Sequence, residues 1–312
     1  WIVWLTNPGS EHLVRDPLVD EIRTMSPQGL LALEGRHFAR LLCLDKDAEA
    51  VALSGRLSAD RRQGFAPTAY NTISIWNEAS IYALRLGLSD DLKFFRNRKT
   101  VPEIVAEMCE LPYAHEDYSL HIRDAARAEA DRRWEAVNIP KDKKIIGINT
   151  GCGPVFATKA WTEEGFAMLL RLIDAREDMA AVLLGGPRER DIHDSLLAQA
   201  EGMAIRGKLF DAGTDNPLEV FFGLVEKCDL VLTADSLAMH VAIALKRPVV
   251  AWFGPTCAQE VDLFGRGEKI VTDFSCSPCY LKTCPKEISC MEAMKAEDVF
   301  AAMHRVLAKA NE

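Results

Sequence analysis

Apolar residues recur along this chain with two spacings. Short runs rich in valine, isoleucine and leucine alternate with longer stretches in which apolar positions return at every third or fourth residue. The first pattern suits strands and the second amphipathic helices. In the first half it predicts a strand over residues 1–5, the turn Asn7-Pro8-Gly9-Ser10, and a helix running through Asp20 and Glu21. A strand over 41–44 follows, then a helix carrying Val51, Leu53 and Leu57, and helical stretches over 75–86 and 101–109. Thr100 as N-cap and Pro102 near the first helical position open the last of these. A short strand over 118–122 and a charged amphipathic helix over 123–137 complete this half.

The second half is more regular. Residues 145–149, 180–184, 229–233 and 249–253 are β-branched apolar runs, each followed by helical spacing. Near-continuous hydrophobicity suits strands buried on both faces, and the alternation with helices predicts an α/β fold with doubly wound parallel sheets. The strands are followed by Thr150-Gly151-Cys152-Gly153, Gly185-Gly186-Pro187, Ala234-Asp235-Ser236 and Gly254-Pro255-Thr256. In an open parallel sheet these turns lie together at the carboxyl edge, where ligands bind. Tight strand-to-helix turns also need glycine for its backbone freedom, so each turn alone has a second explanation.

Length and charge narrow the picture. A chain of 312 residues suggests two domains of roughly 150 residues each. The polar, basic segment 138–144 with Pro140 is the natural boundary, giving units over 1–138 and from 139 onward. A net charge of -9 argues against a general nucleic-acid binder. No apolar run reaches the ~18 residues of a transmembrane helix; the longest, 241–253, is broken by Lys246 and Arg247. The opening residues lack the basic flank and cleavage site of a signal peptide, so a cytoplasmic protein with reduced cysteines is expected.

Four features carry candidate chemistry. The stretch Asp235-Ser236-Leu237-Ala238-Met239-His240 opens a helix that is apolar almost all round, with Asp235 or Ser236 as N-cap. The free amides at such an end suit phosphate. His240 there is either a packed core histidine or a ligand-facing one. Lys159, before the helix carrying Phe166 and Leu169, can neutralise phosphate as a point charge, or be merely solvated. Glu189 is placed either to accept from ribose hydroxyls or to complement a helix dipole. Cys276, Cys279, Cys284 and Cys290 form a dense cluster compatible with zinc, with packing thiols or with a labile disulfide. Neither a Walker A loop nor a G-x-G-x-x-G fingerprint is present.

At these residues the chain resembles the bacterial lipopolysaccharide heptosyltransferases of glycosyltransferase family nine. The resemblance is carried by Asn149-Thr150-Gly151-Cys152-Gly153 with Lys159-Ala160-Trp161, by Leu184-Gly185-Gly186-Pro187-Arg188-Glu189, and by Gly213-Thr214-Asp215-Asn216-Pro217-Leu218. Asp235 to His240, Phe253-Gly254-Pro255-Thr256 and the cysteine tail extend it over the second half, with weaker similarity at Leu44-Asp45-Lys46 and Gly64-Phe65. It implies a GT-B glycosyltransferase of two Rossmann-like domains facing a cleft: 1–138 for the acceptor, 139–296 for the sugar nucleotide, and a helix in 297–312 packing back on the first. The implied reaction moves heptose from ADP-heptose to a lipopolysaccharide-core acceptor, with inversion and without metal or other cofactor. The same motifs fit another nucleotide sugar or a non-catalytic sugar-nucleotide-binding protein.

Carried onto this chain, the resemblance gives Lys159 and His240 the leaving-group charge. It places Thr150, Gly151, Glu189, Asn216, Asp235, Ser236, Leu237 and Ala238 around the donor, Glu189 at the ribose and Asn216 near the base. Leu237 stands where the family usually has glycine. The implied partners are the donor and an anionic glycolipid at the membrane surface, for a protein peripheral to the inner membrane. Lys93, Arg96, Arg98 and Lys99 are the compact basic cluster that could meet that acceptor, or else a solvated face. The family's catalytic carboxylate sits in a strand and loop for which nothing before Trp1 offers a counterpart. That segment is expected to precede this chain in the native polypeptide.

Overall fold

The computed structural model describes residues 1–70, 72–203, 205 and 208–310. Two compact α/β units emerge, one of 1–116 with 259–262 and one of 117–258 with 263–312. The boundary expected at 138 is therefore displaced toward the N-terminus.

In the first unit, β1 (Val3–Thr6) pairs in parallel with β2 (Glu21–Thr24), which is followed by α1 (Pro27–Leu31). Then β3 (His37–Cys43), α2 (Ala48–Arg56) and β4 (Ser58–Pro67) make a parallel crossover, and β5 (Ile73–Ile75) adds antiparallel to β4. Helices α3 (Ile81–Leu86) and α4 (Val101–Met108) complete the unit. Thr100 caps α4 by accepting from the Glu103 amide at 3.4 Å, as its sequence predicts. Cys43, Val51, Phe65, Ala83, Leu86, Ile104 and Met108 form the core. The helix expected through Glu21 is a strand instead, because Glu21 to Thr24 pair in parallel with β1.

The expected basic cluster is largely neutralised within this unit. Lys93 pairs with Glu260, Arg96 with Asp91 and Lys99 with Glu107, while Arg98 donates to the Phe95 and Asn97 carbonyls.

The second unit begins with 117–123, which contains no strand; the strand predicted over 118–122 is absent. Helix α5 (Asp124–Val137) leads to β6 (Lys144–Asn149), α6 (Glu163–Asp174) and β7 (Met179–Leu184). Next come α7 (Arg190–Gly202), β8 (Leu209–Asp211), α8 (Leu218–Glu226) and β9 (Leu230–Ala234). The unit closes with α9 (Leu237–Ala244), β10 (Val249–Phe253), β11 (Gly267–Val271) and α10 (Ala296–Ala310). The strands are all parallel in the order β11-β10-β9-β6-β7-β8. This is the doubly wound arrangement, and its order reverses between β6 and β9. Ile146, Ile148, Leu183, Leu232, Val250 and Trp252 face one helical layer, while alternate residues such as Val182, Val231 and Ala251 are equally buried toward the other. That two-sided burial explains the unbroken apolar runs.

Helix α10, expected to pack on the first unit, shares the core of this one. Val299, Ala302, Met303, Val306 and Leu307 repeat at helical spacing and join Leu169, Leu170 and Ile173 of α6 in one core. Helix α5 also belongs here. Arg123 bonds Glu219, Arg127 bonds Glu226 in a bidentate pair, and Lys227 bonds Asp131, so the charged face of α5 is spent on α8. Ala130 lies against Gly223, where an added Cβ would come within 2.5 Å of the Ala130 methyl. Among the described residues no helix is long and apolar enough to cross a membrane.

Gly223→Val is therefore expected to destabilise the chain by ~1–3 kcal/mol through overpacking of α5 on α8. Gly202→Ala, at a helical position with nothing within 4 Å, is expected to stabilise it by ~0.4–1 kcal/mol. Urea unfolding of both variants checks the pair.

Candidate functional site

The site forms where β6 and β9 diverge. Asn149 ends β6 and is buried; its Nδ2 donates to the Gly151 carbonyl at 2.6 Å, to Thr233 Oγ1 at 3.1 Å and to Ser236 Oγ at 3.3 Å. One carboxamide thus ties the loop after β6 to the turn after β9. Ser236 occupies the N-cap position of α9, but its hydroxyl lies 2.8 Å from Thr233 Oγ1 and makes no cap bond to the helix. The cap expected from Asp235 or Ser236 is absent for this reason. The first amides of α9 are left without a side-chain acceptor, beside a cavity lined by Ser236, Leu237 and Ala238.

Lys159 reaches this end of α9. It lies in a 3₁₀ turn, Ala157–Lys159, held by Trp161, which is buried against Phe166 and Trp252 and donates to the Met294 carbonyl at 3.2 Å. The Lys159 ammonium donates to the Asp235 carbonyl at 2.5 Å and lies 3.6 Å from the Asp235 carboxylate. The lysine is thus mostly buried and committed to the turn before α9.

His240 lies one turn into α9 and is solvent-accessible, with the Tyr118 ring 6.4 Å away. Crowding by surrounding protein, with a further contribution from the Lys159 charge, outweighs the Asp235 carboxylate and holds its imidazole below the usual histidine range. It is therefore neutral near pH 7 and available as a hydrogen-bond donor.

Glu189 follows β7 in the turn Pro187–Glu189. Its Oε2 accepts from the Gly186 amide at 2.8 Å, and its carboxyl lies over Gly151, where a Cβ would approach to 2.6 Å. Only glycine leaves room for that contact. Asn216 lines the far wall, but its polar atoms are engaged: Nδ2 donates to the Ala212 and Gly213 carbonyls, and Oδ1 accepts from Arg133 at 2.7 Å. It braces the wall instead of offering a free amide. Below it, Asp211 accepts from His193 at 2.8 Å and from the Gly213 amide at 2.9 Å. Burial pushes the Asp211 carboxyl up, but those bonds outweigh it and hold the group below its ordinary value.

These turns enclose a cavity of about 370 Å³, lined among others by Asn149, Gly151, Glu189, Asn216 and Ser236 to Ala238. A neighbouring cavity of about 240 Å³ is bounded by Thr150 to Pro154, Ala160, Arg188, Glu189 and Ile192. Thr150 is buried, and its hydroxyl has no hydrogen-bond partner among the described residues. Of the expected donor residues, Thr150, Gly151, Glu189, Asn216, Ser236, Leu237 and Ala238 line these cavities, whereas Lys159, Asp235 and His240 line neither. Sequence reading passed over Cys152, Arg188, Leu218 and Phe221 as site residues, although all line these cavities. Leu218 and Phe221 share one face of an apolar helix, where a wall and a core position look alike. The cysteines 276, 279, 284 and 290 are free thiols. Among the described residues no group of three or more histidine, cysteine, aspartate or glutamate side chains could hold a metal, so the zinc alternative finds no ligand set.

A doubly wound sheet with glycine turns and an uncapped helix start at its switch point defines the class of open α/β folds that hold nucleotides there. The profile of glycosyltransferase family 9 (heptosyltransferase) matches residues 86–289, and the chain belongs to this family. It is 28% identical over 168 residues to lipooligosaccharide heptosyltransferase 2 of Campylobacter jejuni, covering 53% of this chain and 51% of that protein. The chain thus spans about half the length of the curated relatives it matches. Its fold is similar to that of a family 9 glycosyl transferase from Veillonella parvula, with TM-score 0.72 at 18% identity over 99% of this chain and 88% of that one. It is also similar to E. coli ADP-heptose lps heptosyltransferase II, with TM-score 0.65 at 18% identity over 100% and 90%. The family and the GT-B fold class read from the motifs are thereby confirmed.

The His240 environment sets a pH dependence. Its folded value is depressed, so its contribution to stability is present above the unfolded value of 6.5. As pH falls below that, the unfolded chain takes the proton first and stability declines until the folded value is passed. Urea midpoints of His240→Gln are expected to fall less than those of the unsubstituted protein between about pH 7 and pH 5.

Proposed function

We propose that this chain transfers a sugar from a nucleotide donor, heptose from ADP-heptose, onto an anionic glycolipid of the lipopolysaccharide-core type. The observation that carries the reading is the uncapped start of α9, which borders a cavity of about 370 Å³, with the Lys159 ammonium fixed behind it on the Asp235 carbonyl. The name of the E. coli relative supplies the donor and acceptor class.

In this reading the diphosphate meets the amides of Leu237 and Ala238, with Lys159 adding charge through its hold on the Asp235 carbonyl. Glu189 exchanges its bond to the Gly186 amide for the ribose hydroxyls. The base lies toward Leu218 and Phe221, on the wall that Asn216 braces. Thr150 and Gly151 border the sugar.

The acceptor hydroxyl attacks the anomeric carbon from the face opposite the leaving group, and its proton passes to a general base. As that bond forms, the bond from the anomeric carbon to the β-phosphate oxygen breaks, and ADP leaves with the electron pair. The growing charge on ADP is met by preorganised donors: the α9 amides, Lys159 and the neutral imidazole of His240. These fixed groups take the place a metal ion holds in other transferases, and the anomeric configuration inverts. The protein works in the cytoplasm and reaches its amphiphilic acceptor peripherally, at the membrane surface.

Incubation with ADP-heptose and a core glycolipid is expected to release ADP at a rate unaffected by EDTA. Turnover only with another nucleotide sugar would change the donor, binding without turnover would make this a binding protein, and EDTA sensitivity would overturn the metal-free step. Lys159→Ala is expected to weaken ADP binding by ~1.5–3 kcal/mol while leaving adenosine binding nearly unchanged. Calorimetric titration with both ligands checks it, and equal losses would remove Lys159 from the phosphates.

A further inference from the structure

Arg188 lies in the turn between β7 and α7 and lines both cavities of the site. Among the described residues no other lysine or arginine lines either one. Several arginines of this unit spend their charge in pairs: Arg127 with Glu226, Arg176 with Asp178, Arg266 with Asp117 and Arg305 with Glu268. Arg190 and Arg247, which form no ion pair among the described residues either, line neither cavity. Arg188 is exposed and makes no ion pair or hydrogen bond among the described residues. An uncompensated guanidinium at a cavity mouth, in a chain of net charge -9, is a feature that packing does not require.

Its placement defines what it can reach. The larger cavity is bounded by Arg188 on the β7 side and by Ser236, Leu237 and Ala238 on the β9 side. At about 370 Å³ it is small enough for one extended side chain to span much of it. The loop between carries Cys152, whose thiol is pushed up by burial, with Lys159 and Arg188 lowering it and Glu189 and Asp235 raising it. Lys159 itself is absent from the lining and is occupied by Asp235. A ligand phosphate entering from the β7 side therefore meets Arg188 as the accessible cation, and a planar guanidinium can grip phosphate through two parallel hydrogen bonds.

We propose that Arg188 is a specificity-determining residue for the donor: it is the second arm of a diphosphate clamp whose fixed arm is the α9 start with Lys159. The inference rests on the nucleotide-sugar reading above and adds to it the group that selects a nucleoside diphosphate over the nucleoside. The arm breaks no contact on engaging a ligand, because it makes no ion pair or hydrogen bond among the described residues.

The test is calorimetric titration of the unsubstituted protein, Arg188→Gln and Arg188→Lys with ADP, AMP and adenosine at two salt concentrations. Arg188→Gln is expected to lower ADP affinity about tenfold or more, AMP affinity less, and adenosine affinity by under about twofold. Its ADP binding is also expected to become less salt-sensitive. Arg188→Lys is expected to recover part of the ADP affinity, because charge is kept while the fork is lost. Melting temperatures of both variants are expected to match the parent, since no contact is removed. Equal losses for ADP and adenosine would assign Arg188 to stacking on the base and overturn the clamp, as would unchanged ADP binding. Failure of the unsubstituted protein to bind ADP would overturn the nucleotide-sugar reading itself, and the clamp with it.

Discussion

The carboxamide of Asn149 sits where the strand order of the second sheet reverses, and much of the site follows from its three donations. By holding Thr233 and Ser236 it turns the Ser236 hydroxyl inward, away from the helix that this residue would ordinarily cap. A capped α9 would spend one of its free amides on its own serine. Here the same serine is consumed by the sheet, and the amide is left for a ligand. By holding the Gly151 carbonyl, Asn149 also fixes the loop on which Glu189 rests. Both halves of the crevice are thus set by one buried side chain with few alternative partners. Preorganisation of this kind lets a helix end bind an anion without reordering when the ligand arrives.

Charge in this unit is local rather than collective. The chain as a whole is acidic, which removes long-range attraction for polyanions but says little about a crevice several ångströms wide. Lys159 is compensated by Asp235, His240 is held neutral, and Arg188 is left uncompensated. Of the three, only Arg188 lines the cavities. The basic cluster of the first unit, by contrast, is mostly absorbed by Asp91, Glu107 and Glu260. Counting lysines and arginines along a sequence does not separate these cases, because a compensating acid can come from a distant position, as Glu260 does for Lys93.

The second sheet was legible because each of its central strands is buried on both faces, a condition that leaves an unbroken apolar run. Its turns were legible because close backbone approach demands glycine or small residues, as the Glu189 carboxyl over Gly151 illustrates. What failed to show were partnerships between elements. The pattern of α5 announces a charged helix, but whether Arg123 and Arg127 face solvent or Glu219 and Glu226 is decided some hundred positions later. Helix α10 likewise shows an apolar stripe without naming α6 as its partner. Glu21 to Thr24 reads equally as helix or strand until β1 pairs with it. Asn216 looks like a free amide in sequence, and only Arg133, Ala212 and Gly213 reveal that it is spent.

Leu237 shows how a departure from a family pattern can be absorbed. Where the resemblance led to an expectation of glycine, this chain places a large apolar residue on the first turn of α9, half exposed at 46% and lining the larger cavity. A glycine there would let a ligand lie flat on the backbone. Leucine keeps the same amide, since substitution changes only the side chain, but it adds an apolar wall beside it. Such a wall excludes water from beside the amide, and excluding water strengthens hydrogen bonds and charge contacts made there. Closer approach and lower dielectric are thus alternative ways of raising the hold of a helix end on phosphate. The neutral state of His240 one turn on fits the second route, because protein crowding at this end already disfavours an unpaired charge on the ring.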